Sequence, residues 1–221
     1  MVVMDCQAQP SDIGRQTRPG TSDLSGRNAP PAPISTKGFH TMAWDIDTAH
    51  SSIEFTAKHM MVSNVKGRFT SFSGDAQLDE AHPENSRVDV TIDLASLSTG
   101  AEGRDNHLRS ADFFDVEHYP TATFHSTTVE ALGADHLRVT GDLTIRGVTK
   151  PVTLDVTVEG KVKDMQGKDR YGFTATTSFS RKEFGLEWNV ALESGGWLVS
   201  DKITIAIDAQ VIAPAEVAVA D

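Results

Sequence analysis

The sequence predicts an all-β fold, a barrel or a sandwich of about eight strands with one or two short helices in its long connections. From Trp44 onward, apolar and polar residues alternate at period two, which is the pattern of strands that bury one face. Turn-forming clusters separate these runs. Only two longer stretches, residues 103–124 and 180–200, interrupt the pattern, and both are rich in charged and aromatic residues.

The strands are predicted from runs that follow one another along the chain. Five runs alternate cleanly: SIEFTAKHM, RVDVTIDL, LRVTGDLTIRG, PVTLDVTVEG and KITIAIDAQV. TATFHSTTVEA adds a further strand. VKGRFTSFSGDAQL and YGFTATTSFSR alternate less regularly, and a phase shift between Phe69 and Phe72 predicts a bend or bulge. The breaks at residues 132–135 and 146–149 predict hairpin turns.

The two ends of the chain differ from this pattern. Residues 1–41 hold five of the nine prolines and show no apolar periodicity, so they cannot bury enough surface to offset the entropy of ordering. Two interpretations stay open: a disordered tail, or a mis-assigned N-terminal extension with translation starting at Met42. The ordered domain is predicted to span residues 42–214, followed by a flexible C-terminus at residues 215–221.

Composition and charge limit which kinds of partner the protein is expected to bind and where in the cell it is expected to act. The net charge of −11 repels phosphate backbones and the basic residues are scattered, which argues against nucleic acid as a partner. No apolar run reaches the roughly 18 residues of a membrane-spanning helix, so we expect no integral membrane insertion. Cys6 is the single cysteine, and the chain turns polar at Asp5 where a signal peptide would be apolar. We therefore expect a cytoplasmic protein.

Motifs that carry catalysis or cofactor binding are missing from the sequence. It contains no GxSxG elbow, no HExxH, no phosphate-binding glycine loop and no dinucleotide fingerprint. We therefore predict no catalytic residues, no metal and no cofactor. His59 continues the inward face of its strand, and two interpretations stay open for it. It is either a core histidine bonded to backbone or water, or a polar contact at the bottom of a cavity.

The stretch GRDNHLRSADFFDVEHYPTATF, residues 103–124, has the residue types of an active site or of a structural plug. Asp105 and Arg109 stand at i, i+4, a spacing whose ion pair supports a short helix. Phe113 and Phe114 follow as anchors for one end of a barrel. We favour the structural interpretation, because the spacing places no base beside Asp105 or Ser110.

Five motifs, in their order and spacing, resemble the YceI-like family of lipid-binding proteins: WDIDTAHSSIEFTAKHM, VKGRFTSFSGD, SLSTGAEGRDNHLRSADFFDVEHYPTATF, GDLTIRGVTKPVTL and SRKEFGLEWN. The resemblance implies a single extended antiparallel β-barrel of lipocalin-like architecture. It also implies a long apolar cavity that holds a polyisoprenoid chain, an isoprenoid quinone, or a fatty amide or acid. Dimerisation is a further expectation at the level of the family. Many members carry a secretion signal, and the polar start of this chain departs from them.

A non-enzymatic binding or carrier protein is the function we predict, with an apolar small molecule or lipid as its partner. Closed barrels of about eight strands enclose one small ligand. Ala57, Gly67, Gly141 and Ala175 provide small side chains for such a wall. The predicted ligand-binding residues face inward on the strands or lie in the long connection: Ile53, Phe55, His59, Phe69, Val90, Ile92, Phe113, Phe114, Phe124, Leu143, Ile145, Phe173, Phe179 and Ile205.

Two other hypotheses stay open. The first is an enzyme that acts on a small or lipid-like substrate with His59 or His107 as its base. The second is a ligand-free structural or interaction barrel, which would have a tightly filled interior. An internal tunnel in the structure would separate the container from the filled barrel.

Overall fold

The computed structural model describes residues 43–193 and 195–214. It contains eleven strands: β1 (Ala43–Ile46), β2 (Ser52–His59), β3 (Ser63–Phe69), β4 (Phe72–Gln77), β5 (Arg87–Asp93), β6 (Leu97–Ser98), β7 (Thr121–Ala131), β8 (His136–Ile145), β9 (Val148–Lys163), β10 (Asp169–Ser180) and β11 (Val199–Ile212). One α-helix, α1 (Glu102–Arg109), and three 3-10 turns (Pro83–Asn85, Leu94–Ser96 and Arg181–Phe184) lie in the connections. The predicted segments 1–41, with Cys6, and 215–221, and the predicted start at Met42, lie outside the described residues.

The eleven strands form a closed, eight-stranded, up-and-down barrel. Three of its long strands are interrupted: β1 continues into β2, β3 into β4, and β5 into β6, as the pairings β1–β4, β2–β3, β4–β5 and β3–β6 show. Each further strand pairs antiparallel with the next along the chain, from β5–β7 to β10–β11. The ring closes where β11 pairs with both β1 and β2. The predicted antiparallel barrel is therefore confirmed.

The period-two pattern places the core inside this ring. Val88, Val90 and Ile92 pack against the main buried cluster from β5, and Ile203, Ile205 and Ile207 do so from β11. The phase shift predicted between Phe69 and Phe72 is the break between β3 and β4. Alternation therefore predicts the inward face, and its interruptions predict where a strand bends.

The connection after β6 forms the helix that the sequence predicts, but with a different hydrogen-bond pattern. The predicted Asp105–Arg109 ion pair is wrong. Asp105 is buried and accepts hydrogen bonds from the backbone N–H of Thr99 at 2.8 Å and from its hydroxyl at 2.5 Å. Arg109 donates to the carbonyl oxygens of Ala95 and Leu97. Both side chains reach backbone groups outside the helix, and these fixed acceptors and donors outcompete an exposed i, i+4 pair.

Within residues 43–193 and 195–214, no helix has the length and apolar character needed to cross a membrane.

Candidate functional site

The strands of the barrel surround a cavity of about 320 Å³ whose lining is predominantly apolar. This volume falls at the lower end of the range typical of small-molecule sites, about 300 to 1,000 Å³. Thirteen of the fourteen predicted ligand-binding residues line it: Ile53, Phe55, Phe69, Val90, Ile92, Phe113, Phe114, Phe124, Leu143, Ile145, Phe173, Phe179 and Ile205. The structure thus brings residues from seven strands and one long connection to a single cavity.

His59 is the predicted residue that does not line the cavity. It is the last residue of β2, half-buried, and pairs with Val199 and Ser63. Met60 and Met61 follow with left-handed φ values of 50° and 62° and turn the chain into β3. Alternation assigns His59 to the inward face, but the pairing of β2 with β11 shifts register between Val199 and Ile203, so the simple alternation does not hold as far as His59. The structure therefore does not place it at the cavity bottom.

The small residues of the wall act in two different ways. Ala57 and Ala175 line the cavity, as expected of residues that leave room for a ligand. Gly67 and Gly141 instead accommodate aromatic rings, since a Cβ on Gly141 would lie 2.5 Å from Cζ of Phe124, and one on Gly67 would overlap the Phe55 ring. These two glycines therefore let the rings lie close against the wall, rather than adding free volume next to a ligand.

One end of the barrel is closed by residues from the connections, and we refer to it as the sealed end. Its residues all line the cavity: Leu94, Leu108, Phe113, Phe184 and Leu186. Phe184 and Leu94 are 0% and 1% exposed, which puts them among the most buried side chains in the described residues. The stretch 103–124 therefore supplies part of a plug, as the structural interpretation predicted.

Arg146 stabilises this plug through hydrogen bonds to its backbone. It lies in the turn between β8 and β9 with a left-handed φ of 52°. Its Nη1 donates to the carbonyl oxygens of Phe113 and Gly185, each at 3.2 Å. Two of the three connections that form the sealed end are thereby bonded to one guanidinium.

Arg181 is a buried charge in the lining of the sealed end. Its Nε donates to the carbonyl of Ser200 at 3.1 Å, and its Nη1 donates to the carbonyls of Leu186 and Trp188 at 2.7 and 2.8 Å. Burial lowers the pKa of the guanidinium, while the Asp201 carboxylate acts in the opposite direction. The guanidinium carbon lies 6.0 Å from the centre of a ring, that of Phe113.

An aromatic and ionic cluster lies at the opposite end of β11. Trp44 and Tyr171 contact each other with ring centres 5.4 Å apart, and Nζ of Lys161 lies within 5.9 Å of both ring centres. The same Nζ is 2.6 Å from Glu80 and 3.2 Å from Asp169. The hydrogen bond to Glu80 raises the pKa of Lys161 and lowers the pKa of Glu80. Both partners are therefore ionised at neutral pH.

The histidine proposed as an alternative base, His107, lies on the outer side of the plug. Its Nε2 is 2.9 Å from a carboxylate oxygen of Asp112, and its ring meets those of Phe113 and Trp188 edge to face. Neither His107 nor His59 lines the cavity. Across the described ranges, no group of three His, Cys, Asp or Glu side chains is arranged to hold a metal ion.

Sequence reasoning missed several lining residues. Val152, Leu154 and Val156 line the cavity from β9. The alternation of PVTLDVTVEG places them on one face, but they were not among the residues predicted to bind the ligand. Arg181 stands in the motif SRKEFGLEWN, but nothing in its position predicted burial, because an arginine directly after a strand is most often exposed. Only the closure of the barrel shows that it is buried.

Comparisons with known proteins agree with this architecture. Residues 44–211 match the YceI-like domain. Over 146 residues the chain is 42% identical to a UPF0312 protein of Shewanella baltica, which covers 66% of this chain and 76% of that protein. A crystal structure of a Campylobacter jejuni YCEI protein shares 34% identity, covers 71% of this chain and 90% of that one, and has a TM-score of 0.64.

A more distant neighbour shows the same fold. It is described as a polyisoprenoid binding domain from Saccharophagus degradans, implicated in plant cell wall breakdown. It is 19% identical, covers 77% of this chain and 98% of that one, and has a TM-score of 0.59. At this identity the likeness concerns the fold alone.

Proposed function

The chain belongs to the YceI-like family, and from this premise we propose that it is a non-enzymatic carrier that holds a long apolar amphiphile inside its barrel. The ligand class is a polyisoprenoid, an isoprenoid quinone, or a fatty amide or acid. The observation that carries the proposal is the cavity of about 320 Å³ inside the barrel, with its apolar lining. The thirteen predicted residues that line it are the proposed contacts.

The energetics favour a chain-like ligand. Burying one isoprene unit of five carbons contributes on the order of 4 kcal/mol, at about 0.8 kcal/mol per carbon. Several units therefore exceed the roughly 4 to 15 kcal/mol that association costs. The chain would dominate affinity, and a polar head group would adjust it.

One observation supports binding without catalysis. The histidines considered as bases, His59 and His107, both lie outside the lining. This arrangement fits a container better than an enzyme.

The test is to identify what the purified protein carries. Native mass spectrometry and solvent extraction of protein from its host should find an apolar molecule bound. A matched pair of variants assigns it to the cavity: Ala175→Trp fills the lumen from β10, while Thr176→Trp adds the same bulk to an exposed position beside it. The first should lose the ligand and the second should keep it.

Two results would contradict the proposal. One is wild-type protein that holds no apolar molecule and takes up neither a quinone nor a polyprenol in vitro. The other is a folded Ala175→Trp variant that binds as much as the wild type. Circular dichroism of both variants establishes that they are folded before their binding is compared.

A further inference from the structure

An exposed apolar surface lies outside the cavity, at the turn between β2 and β3. All three residues of this turn are exposed, and so are two large apolar residues of the loop that precedes β11. The backbone N–H of Met60 donates to the carbonyl of Leu198 at 2.8 Å, which places the turn beside that loop. We refer to these five residues as the apolar tip: Met60, Met61, Val62, Val190 and Trp197.

The backbone of the turn is unusual for methionine. Met60 and Met61 both have left-handed φ values, 50° and 62°. Two consecutive left-handed residues are the geometry of a type I′ hairpin turn, which Asn-Gly forms at lower cost. The sequence therefore has two exposed methionines at positions where small residues would fold more easily. Contiguous exposed apolar residues of this kind mark interaction sites.

The hairpin that carries the turn is basic, although the whole chain has a net charge of −11. Between residues 55 and 74 the sequence contains Lys58, Lys66 and Arg68 and no acidic residue. Nζ of Lys58 donates to a neutral partner, Oδ1 of Asn64, at 3.2 Å. Lys66 and Arg68 line a shallow groove on the outer face of the hairpin, together with the single carboxylate of Glu54. With three basic residues and one acidic residue, the β2–β3 hairpin has a net charge of +2.

The neighbouring loop also places an apolar ring beside a lysine. Trp197 is 51% exposed, and Nζ of Lys182 lies 5.9 Å from the centre of its ring. The same Nζ is 3.0 Å from a carboxylate oxygen of Asp201, and Glu193 adds a second acidic group to this loop. Tryptophan is enriched at membrane–water interfaces, because its ring is apolar and its N–H is polar.

Size and charge favour a lipid surface over a second protein as the partner. A stable protein interface uses about 20 to 30 residues from each side, whereas the apolar tip has five. Insertion into the surface of a bilayer needs fewer apolar residues when basic side chains nearby meet anionic head groups. Lys58 is two residues before Met60, about 7 Å along the strand, which matches a head-group region of about 5 to 8 Å per leaflet.

The local charge decides this interaction, because salt screens more distant charges. At physiological ionic strength, the field of an exposed charge decays over about 8 Å. The basic hairpin next to the tip therefore contributes more at a membrane surface than the acidic residues on the rest of the barrel.

We propose that the apolar tip docks on the surface of a membrane that contains anionic lipids. The turn and Trp197 enter the boundary between head groups and acyl chains, and Lys58 and Lys66 contact the lipid phosphates. The protein lies on the membrane through this tip and does not span it. This inference goes beyond the carrier function and does not depend on what the cavity holds.

The first test measures the binding of full-length protein to vesicles by flotation. Vesicles of equal parts phosphatidylcholine and phosphatidylglycerol should bind the protein about tenfold more tightly than vesicles of phosphatidylcholine alone. Met61→Asn should weaken binding to the mixed vesicles about tenfold or more, because it removes an inserted apolar side chain. Asn adopts a left-handed backbone more readily than Met, so the turn keeps its fold. Met165→Asn is the matched control, since it removes a fully exposed methionine from the β9–β10 turn and should leave binding unchanged.

A second pair of variants tests the charge. Lys58→Gln should weaken binding to the mixed vesicles about fivefold, as expected for the loss of one basic side chain near an anionic surface. It should leave binding to pure phosphatidylcholine vesicles unchanged. Lys168→Gln removes an exposed lysine from the β9–β10 turn and should bind both kinds of vesicle as the wild type does.

Fluorescence quenching tests whether the tip enters the membrane. Brominated acyl chains in the mixed vesicles should quench part of the tryptophan fluorescence of the bound protein. Trp197→Phe should remove most of this quenching, because Trp44 is buried and Trp188 is half-buried.

The outcomes that contradict docking through the apolar tip are distinct. No binding of the wild type to mixed vesicles, unchanged binding of Met61→Asn, or quenching that survives Trp197→Phe would each overturn it. A dimer in solution that Met61→Asn dissociates would assign the tip to a second copy of the chain and overturn it as well. The carrier function is tested separately, by the ligand content of the cavity.

Discussion

Two glycines determine where aromatic rings lie in the barrel wall. Gly67 pairs directly with Phe55 across β2 and β3, and Gly141 lies on β8 beside the strand that carries Phe124. In both places the absence of a Cβ lets the ring approach the neighbouring backbone. The packing of the wall therefore depends on the absence of a Cβ at these two glycines as well as on the aromatic side chains themselves.

Gly141→Ala should lower the free energy of unfolding by about 1 to 3 kcal/mol, the usual cost of overpacking a core. The new Cβ would lie 2.6 Å from the carbonyl oxygen of His125, which cannot move without disturbing the sheet. Gly103→Ala is the matched control, because a Cβ there meets nothing within 4 Å and α1 gains up to about 1 kcal/mol of helix propensity. Urea unfolding measures both, and equal stability of the two variants would contradict the account.

Alternation along the sequence predicts most of the cavity, since eleven of the twelve strand residues chosen from it line the cavity. It fails for residues whose surroundings are set by segments that are distant in the sequence. His59 has the phase of the inward face but does not line the cavity. Arg181 belongs to no alternating run, because it follows the end of its strand. The role of Gly141 depends on its neighbour across the sheet, which one strand's pattern cannot show.

The plug closes one end of the barrel, so that the barrel can hold a ligand. It consists of α1 and the turn after it on one side and the 3-10 turn Arg181–Phe184 on the other. Residues 103–124 have the residue types of an active site, but Asp105 and Arg109 in this stretch hydrogen-bond to backbone groups of neighbouring segments. The sequence predicts the helix through its spacing, but the partners of Asp105 and Arg109 lie in segments that only the folded barrel brings near.

Asp105→Ala should lower the free energy of unfolding by about 1 to 3 kcal/mol, because it leaves the part-buried N–H of Thr99 without the acceptor that the buried Asp105 carboxylate provides. Asp112→Ala is the control in the same connection. Asp112 is 52% exposed and pairs with His107, so its loss should cost less than about 1 kcal/mol. Chemical denaturation compares the two, and a larger loss for Asp112→Ala would show that the plug is held differently.

The part of the chain that the structure describes forms a ring of eight long strands around an apolar cavity. The strands could be predicted because each buries one face. The prediction that they close into a barrel came from the family resemblance and not from the period-two pattern. A hollow core has less side-chain packing than a filled one of equal size. A bound ligand should therefore contribute noticeably to the stability of the fold.

Removal of the ligand should lower the melting temperature of the protein. A ligand present at about 100 times its dissociation constant stabilises by about 2.7 kcal/mol. For a chain of this size that corresponds to a shift of about 5 to 10 °C. Thermal unfolding of delipidated protein, with and without an added quinone or fatty acid, measures the shift. Identical curves would argue that the cavity stays empty under these conditions.

The pairing that closes the ring joins distant parts of the chain. Ser51 and Gln210, bonded at this junction, are 159 positions apart, whereas the other neighbouring strands follow one another in sequence. Loop-closure entropy makes such a pairing late in folding. We therefore expect the chain, during synthesis, to exist first as an open sheet with its apolar face accessible. A lipid bound at that stage would be enclosed as the last strand pairs, so the sealed end would not have to open for the first ligand to enter.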